Sequence, residues 1–317
     1  GNLTNTAALT EEAGILPGTV TSDSDVVAEL IQHAMLAAGP GARSDGRDLE
    51  RALVDVLPQL EGAFSLVLMD DSHVVGVRDP NGFRPLCLGR LDNGWVLSSE
   101  TTGLDIVGAH FVRELDPGEV VVIDATGMRS IRPFDHHRIE PKLCLFEFVY
   151  FARPDSRLYG QTVHTARQHM GEALADQAPL PADQVAPERE CMVMPVPESG
   201  IPAAEGYARR SGIPFGHGLV RNRYIGRTFI APGQDQRTQS VRMKFNPIRE
   251  NIAGKRLVVI DDSIVRGTST RAVVAMLREA GAAEIHLRIS SPPYRWPCFY
   301  GMDTGRRSEL LAADLSV

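Results

Sequence analysis

Carboxylate, glycine and hydroxyl side chains are grouped in one short stretch of the chain. Asp261 and Asp262 follow an apolar run at 257–260, and Gly267 precedes three consecutive hydroxyl residues, Thr268, Ser269 and Thr270. Backbone N–H groups at the start of a helix, supplemented by hydroxyls, form a cradle for an anion, and phosphate is the natural guest. The two carboxylates could hold a sugar diol or a hydrated Mg²⁺ ion. The stretch therefore predicts a phosphate site, although it lacks the GxxxxGK[ST] pattern of a Walker A loop.

A second stretch, residues 221–244, is rich in cationic side chains. It holds one acid, Asp235, against six basic residues: Arg221, Arg223, Arg227, Arg237, Arg242 and Lys244. Such a segment could close over a polyanion, neutralise it and exclude water from the site. It could also be a solvated loop or a weak nucleic-acid patch, because aromatic residues lie between the arginines.

The elements around the paired carboxylates predict a parallel sheet. A strand that is apolar throughout, followed by a helix and another strand, is typical of a parallel sheet buried on both faces. Open sheets of this kind bind ligands at the carboxyl ends of their strands, which is where Asp261 and Asp262 lie. We predict helices at 162–176, 202–211 and 270–280 and strands at 192–196, 256–260 and 284–289.

The first 140 residues have a different pattern. Helical spacing of apolar residues over 24–37 and 47–57 precedes a series of short β-rich runs. Turn residues separate these runs, which cover 63–69, 73–77, 95–98 and 119–123. Two helices followed by a strand series predict a layered α+β domain that ends near residue 140.

Composition limits the class of protein. At 317 residues, with 43% hydrophobic and 23% charged side chains, the chain can form about two domains and is not intrinsically disordered. A net charge of −7 argues against binding of a phosphate backbone, and no apolar run reaches the ~18 residues of a membrane span. The four cysteines form no CxxC pair, which argues against a disulfide scaffold and suggests a reducing cytoplasm.

Several segments resemble known sequences. Residues 257–270 are similar to the motif with which type I phosphoribosyltransferases bind 5-phosphoribosyl-1-pyrophosphate (PRPP). The chain as a whole resembles the amidophosphoribosyltransferase family, in order, at 1–5, 21–24, 78–86, 144–156, 222–230, 290–293 and 297–303. The resemblance implies a partial α+β glutaminase domain of the N-terminal nucleophile (Ntn) hydrolase type at 1–140. It also implies an interdomain segment at 141–161 and an α/β type I phosphoribosyltransferase domain at 162–317.

The resemblance also implies an activity, the first step of purine synthesis. Ammonia released from glutamine would replace the pyrophosphate of PRPP and give 5-phosphoribosylamine. Asp261 and Asp262 would contact the ribose hydroxyls and Mg²⁺. The 5-phosphate would lie in the loop of Ser263, Ile264, Val265, Arg266, Gly267, Thr268, Ser269 and Thr270. The pyrophosphate site and the basic lid would involve Glu198, Ser199, Arg227 and Lys244. Gly200 stands where the family often has a hydroxyl residue, so the resemblance does not extend to a metal contact from this loop.

The glutaminase half matches its family incompletely. Its chemistry needs a cysteine at the mature N-terminus, whose amino group serves as the base, whereas position 1 is Gly1. By resemblance Gly1 belongs to the oxyanion motif and Asp23 would bind the α-amino group of glutamine, although Asp23 could also be a helix cap. We expect the chain as given to use at most free ammonia. Cys87 lies in a strand-like run and is expected in the core.

The resemblance also concerns metal ligation by cysteines. Cys144 and Cys298 match two of the four cysteines that hold a [4Fe–4S] cluster in one branch of the family. Alternatively, they are two buried cysteines. Cys191 is expected in the core, and His136–His137 in a loop rather than at a metal.

The resemblance implies further partners: purine nucleotides as feedback inhibitors and further copies of the chain in a tetramer. Neither nucleic acid nor a membrane is expected as a partner. Three other hypotheses remain open: a purine salvage phosphoribosyltransferase, a PRPP-binding regulator and a truncated, inactive remnant. The glutaminase-like half argues against the first, and the negative charge against a DNA-binding regulator.

Overall fold

The structure is a computed structural model that describes residues 1–16, 18–37, 46–181, 190–222, 243–302 and 304–315. The chain divides into two units that interleave along the sequence. The first comprises Gly1–Leu145, Arg157–Tyr159 and Cys298–Gly305, and the second comprises Phe146–Ser156, Gly160–Pro297 and Arg306–Val317. The domain limits at 140 and 161 stay a prediction.

Among the described residues, the first unit is built from three N-terminal helices, a fourth helix between strands, and three antiparallel sheets, one of which is the short β1–β2 pair. The helices are α1 (Thr6–Glu12), α2 (Asp23–Ala37), α3 (Asp48–Val56) and, between strands, α4 (Thr101–Ile106). The strands are β1 (Asn2–Leu3), β2 (Gly62–Ala63), β3 (Ser65–Met69), β4 (Val74–Arg78), β5 (Cys87–Leu91), β6 (Gly94–Ser98), β7 (His110–Glu114), β8 (Val120–Asp124) and β9 (Gly127–Ile131).

Side-chain alternation along the strands explains the layers of this unit. The larger sheet has the order β3-β4-β8-β9, and the smaller one has the order β6-β5-β7. Val75, Val77 and Val120 are buried against the N-terminal helices, whereas Val121 packs with Leu88 of the smaller sheet. Successive residues of a strand point to opposite faces, so one short apolar strand serves two cores. On the outer face of the smaller sheet, Cys87 packs with Leu104 and Ala109, around α4.

The second unit contains a parallel sheet between helices. Its helices are α5 (Val163–Gln177), α6 (Ile201–Ser211), α7 (Arg249–Ile252) and α8 (Thr268–Glu279), and a π-helix covers Glu147–Phe151. Its parallel strands are β12 (Cys191–Pro195), β15 (Arg256–Asp261) and β16 (Glu284–Ile289), and an antiparallel pair is formed by β13 (Leu219–Arg221) and β14 (Phe245–Pro247). Of two further short strands, β10 (Arg157–Leu158) belongs to the first unit and β11 (Gln161–Thr162) to the second.

The central strand of the parallel sheet is buried on both faces. The order is β12-β15-β16, and the register runs from Arg256 opposite Glu284 to Asp261 opposite Ile289. Leu257 and Val259 pack with α8, whereas Val258 and Ile260 pack with α6. The continuous apolar run therefore fills two cores, as predicted from the sequence.

The fold class is confirmed, and so are the predicted helices and strands, within two residues at most ends. The strand at 284–289 has the predicted limits, and the helix expected at 47–57 covers Asp48–Val56. The sequence pattern did not reveal α1, α4, β5, β7 and β9. In the part of the chain that the structure describes, no helix is long and apolar enough to cross a membrane.

Candidate functional site

The two adjacent carboxylates lie at the carboxyl end of the central parallel strand. Asp261 is the last residue of β15, and Asp262 follows it directly. The Ser290 N–H donates to the Asp261 carbonyl at 3.0 Å, and the Ser291 N–H donates to the Asp262 carbonyl at 2.9 Å. Hydrogen bonding with the chain that follows β16 thus continues past the strand ends and fixes the backbone that carries both carboxylates.

Burial and mutual repulsion govern the electrostatics of this pair. Asp262 is 6% exposed, and its carboxylate accepts hydrogen bonds from the hydroxyls of Ser199 and Ser263. Burial raises the pKa of Asp261, and the neighbouring Asp262 raises it further. Burial also raises the pKa of Asp262, although the two serine hydroxyls and the buried Arg167 oppose the shift. Two oxygen donors that repel one another in a shielded place suit a hard divalent cation.

The loop after the carboxylates leads to an uncapped helix start. Gly267 has a left-handed backbone, with φ of +75°, and α8 begins at the next residue, Thr268. No side chain caps this helix through a hydrogen bond. The N–H groups of its first turn and the hydroxyls of the first three helical residues therefore remain for an anion, and the phosphate site there stays a prediction.

Arg266 is the cationic residue of this loop, and its partner was not found from the sequence. Its guanidinium forms an ion pair with Glu309, with 2.7 Å between Nε and Oε2. The two residues are separated by 43 positions, so no local pattern joins them. The structure thus places the guanidinium of Arg266 on a carboxylate of the chain, and its predicted contact with the 5-phosphate stays a prediction.

The turn at Pro197–Gly200 approaches the carboxylate pair from the end of β12. Its Ser199 bonds Asp262, whereas Glu198 forms an ion pair with Arg221 at 3.3 Å. A Cβ atom on Gly200 would lie 2.8 Å from the carbonyl oxygen of Ile260. This approach explains why a residue without a side chain stands at position 200.

Most of the predicted basic lid lies outside the described residues, which stop at 222 and resume at 243. That gap includes Arg227. At its two ends, the Asn222 N–H donates to the Lys244 carbonyl at 2.7 Å, next to the β13–β14 pair.

In the first unit, Ser22 rather than Asp23 caps α2. The Ser22 hydroxyl accepts from the Asp25 N–H at 3.2 Å, and the Asp25 carboxylate accepts from the Ser22 N–H at 3.1 Å, which is a reciprocal capping box. Asp23 instead accepts from the Leu3 N–H at 3.2 Å. A Cβ atom on Gly1 would lie 2.2 Å from the Ala63 carbonyl oxygen. Asp23 and the first residues of the chain are thereby brought together.

Cys144 and Cys298, the two cysteines predicted to bind an iron–sulfur cluster, both belong to the first unit. Cys298 is far in sequence from the N-terminal residues that make up most of that unit. The Cys298 sulfur accepts from the Tyr300 N–H at 3.4 Å. Among the residues described, no group of three or more His, Cys, Asp or Glu side chains is placed to hold a metal ion. Since a [4Fe–4S] cluster takes four thiolates, the described residues alone do not fit it. Cys87 is buried, and His136 and His137 lie in a turn of 3₁₀ helix, His136–Arg138.

Family models match both halves of the chain. The model described as "Glutamine amidotransferase domain" matches residues 1–105, and the model described as "Phosphoribosyl transferase domain" matches residues 178–290. The chain is 51% identical to an amidophosphoribosyltransferase of Mycobacterium bovis over 98% of its length, and 46% identical to one of Synechococcus elongatus over 100%. The chain belongs to the amidophosphoribosyltransferase family.

Solved structures agree with this family in fold. The glutamine PRPP amidotransferase of Bacillus subtilis, complexed with ADP and GMP, matches 99% of the chain with a TM-score of 0.83 and 42% identity. A structure described as the allosteric regulatory enzyme of purine biosynthesis matches with the same TM-score and identity. The chain spans 57% and 62% of the two curated amidophosphoribosyltransferases and 65% of the Bacillus chain.

Proposed function

We propose that this protein catalyses the amidophosphoribosyltransferase reaction, the first step of purine nucleotide synthesis. PRPP, glutamine and water would give 5-phosphoribosylamine, glutamate and pyrophosphate. The observation that carries the proposal is the Asp261–Asp262 pair at the end of β15, directly before the uncapped start of α8. Identity of 51% to a named amidophosphoribosyltransferase supports this choice among phosphoribosyl transfers.

In the transferase step, ammonia attacks C1 of the ribose and the bond from C1 to the pyrophosphate oxygen breaks. The electron pair of that bond leaves with pyrophosphate, and the new amine releases its extra proton to solvent. The backbone N–H groups and hydroxyls at the start of α8 would orient the sugar through its 5-phosphate. Asp261 and Asp262 would hold the ribose hydroxyls and Mg²⁺. When bound, Mg²⁺ would supply positive charge to the leaving pyrophosphate.

Glutamine would be the source of ammonia. Asp23 would bind the α-amino group of the glutamine, a role supported by its place beside β1 and by the fact that Ser22, rather than Asp23, caps α2. In the other half, Glu198, Ser199, Arg227 and Lys244 would act on the pyrophosphate side.

Other partners are proposed on the same family basis. Purine nucleotides would be the inhibitors, since the Bacillus relative was complexed with ADP and GMP. We also propose a homotetramer in the cytoplasm. Cys144 and Cys298 would contribute to an iron–sulfur cluster only if further thiolates joined them.

Calorimetric titration with PRPP in excess Mg²⁺ tests the site. The Asp261→Asn/Asp262→Asn double variant should bind more than about tenfold more weakly, because both cation and diol ligands are lost. Asp314→Asn, which removes an exposed carboxylate of the same unit, should bind like wild type. Unchanged affinity in the double variant would show that the site is elsewhere.

Pyrophosphate release distinguishes the proposed reaction from its rivals. With the chain as given, whose position 1 is Gly1 rather than cysteine, release from Mg-PRPP should need high ammonium and not respond to glutamine. It should rise with pH, because only unprotonated ammonia attacks and ammonium predominates at neutral pH. Release that needs a purine base would favour a salvage enzyme. PRPP binding without release, in folded protein, would favour a regulator or an inactive remnant.

A further inference from the structure

One segment near the C-terminal end of the chain is attached to the phosphate loop at three consecutive residues. The Leu311 N–H donates to the Val265 carbonyl at 2.8 Å, and Glu309 forms the ion pair with Arg266. The side chain of Leu311 lies 3.4 Å from where a Cβ atom on Gly267 would be. We call the segment Arg307–Ala313 the strap.

The strap is itself anchored in the second unit. Leu310 is 3% exposed, and the guanidinium of Arg307 stacks over the Trp296 ring, 4.4 Å from its centroid. The strap therefore has a contact of its own in the second unit, on Trp296, besides its contacts with the phosphate loop. An anchored segment can hold a neighbouring loop in one conformation and lower the entropy that ligand binding must otherwise remove.

The three attached residues are those that set the start of α8. Gly267 has the left-handed backbone that turns the chain, so the positions of the helix N–H groups depend on its conformation. Arg266 and Val265 immediately precede this turn. The strap contacts the Val265 carbonyl, the Arg266 guanidinium and the turn at Gly267, and these three contacts restrain the loop from one side.

We propose that Glu309 is a positioning residue for the phosphate loop, acting through Arg266, and that the strap presets the loop for the 5-phosphate of PRPP. This inference rests on the proposed function, since it assigns the start of α8 to that phosphate. The direction in which removal of the Glu309 charge changes the affinity for phosphate distinguishes positioning from simple electrostatics. Loss of a nearby negative charge would by itself strengthen phosphate binding, whereas loss of positioning weakens it.

The probe is ribose 5-phosphate, which carries the 5-phosphate without pyrophosphate. Glu309→Gln should weaken its binding about tenfold, in keeping with the loss of a charge-assisted hydrogen bond. The affinity for magnesium pyrophosphate should change less than twofold, because Ser199 and Glu198 of the Pro197–Gly200 turn pair with Asp262 and Arg221. Glu309→Asp should recover part of the affinity, and Asp314→Asn is the matched control for the loss of one carboxylate.

A double-mutant cycle tests whether Glu309 acts through Arg266. Glu309→Gln should cause little further loss in an Arg266→Gln background. Wild-type or tighter binding of ribose 5-phosphate by Glu309→Gln would overturn the inference. So would an equal loss of affinity for both ligands, which would indicate general damage. If wild type binds neither ligand, the proposed function fails first, and that result is distinguishable from a defect confined to the variant.

Discussion

The carboxylates of Asp261 and Asp262 oppose folding at the same time as they prepare a cation site. Burial raises the pKa of both groups, and their mutual repulsion adds to this effect at Asp261. We expect Asp261→Asn, in the absence of divalent cations, to raise the free energy of unfolding by about 1 kcal/mol or more at neutral pH. The same variant should bind Mg-PRPP poorly, so stability and affinity would change in opposite directions.

The pH dependence of stability gives an independent check on Asp261. A carboxyl whose pKa is higher in the folded chain than in the unfolded chain lowers the free energy of unfolding once the pH favours ionisation. This loss of stability is absent below the unfolded pKa of about 3.9 and grows as pH rises through the pKa of the folded chain. Wild type should therefore lose more stability than Asp261→Asn as pH rises over this window. Urea unfolding in EDTA, repeated at several pH values, measures how the free energy of unfolding of wild type and of the variant changes with pH. A variant less stable than wild type at pH 8 would contradict the argument.

Glu119 shows the opposite shift, in the first unit. It is 1% exposed and accepts hydrogen bonds from Arg113, from the Ser130 hydroxyl and from the Asp116 N–H. Burial alone would raise its pKa, but these bonds outweigh burial and lower the pKa to about 2. Its stabilisation is therefore complete above the unfolded pKa of about 4.3 and is lost as pH falls to about 2.

We expect Glu119→Gln to lower the free energy of unfolding by about 2 kcal/mol at pH 7, the range for hydrogen bonds to a charged group. The difference from wild type should shrink as pH falls from 4 to 2. Glu61→Gln, at an exposed position, is the control and should change stability by less than about 0.5 kcal/mol. An unchanged difference at pH 2 would show that Glu119 is not ionised in the folded chain.

Among the elements, the crossing of α5 and α6 depends on two glycines. A Cβ atom on Gly171 would lie 1.9 Å from the Ala203 carbonyl oxygen, and one on Gly206 would lie 2.0 Å from the Gln168 carbonyl oxygen. Alanine normally favours a helix over glycine, but here either substitution must push the helices apart. We expect Gly171→Ala and Gly206→Ala each to cost about 1–3 kcal/mol in thermal unfolding. Gly94→Ala, which meets no atom within 4 Å, should not; equal effects at all three would refute the close-contact explanation.

The clearest strand signal in the sequence was an apolar run that fills a core without interruption. β15 was evident because Leu257–Ile260 is buried on both faces. β5 was missed because Gly89 interrupts its pattern, yet a Cβ atom there would lie 2.7 Å from the Leu104 side chain, so the gap is needed for α4 to pack. β9 is an edge strand of mixed polarity, and its place is set by pairing with β8 rather than by its own pattern.

For the whole molecule, the site residues that could be predicted from the sequence are those that are neighbours in the chain. The Asp261–Asp262 pair and the hydroxyls of α8 are adjacent in the chain, so their meeting needs no tertiary information. Glu309 and Arg167 reach the same site from distant segments, and a single sequence carries no signal for that. The same limit hid the fact that Cys298–Gly305 belongs with the first unit.

This interleaving of the two units predicts that two tyrosines six positions apart stabilise different units. Tyr300 stacks on Phe83 of the first unit with ring centroids 4.5 Å apart, whereas Tyr294 packs with Phe146 of the second unit at 6.1 Å. Because an aromatic pair contributes about 1 kcal/mol, Tyr300→Ala should weaken hydrogen-exchange protection in β4 and β5 and leave β12 and β15 unchanged. Tyr294→Ala should have the reverse pattern. Mass spectrometry of exchanged peptides measures both, and a Tyr300→Ala variant that lost protection mainly in β12 and β15 would show that the segment belongs energetically to the second unit.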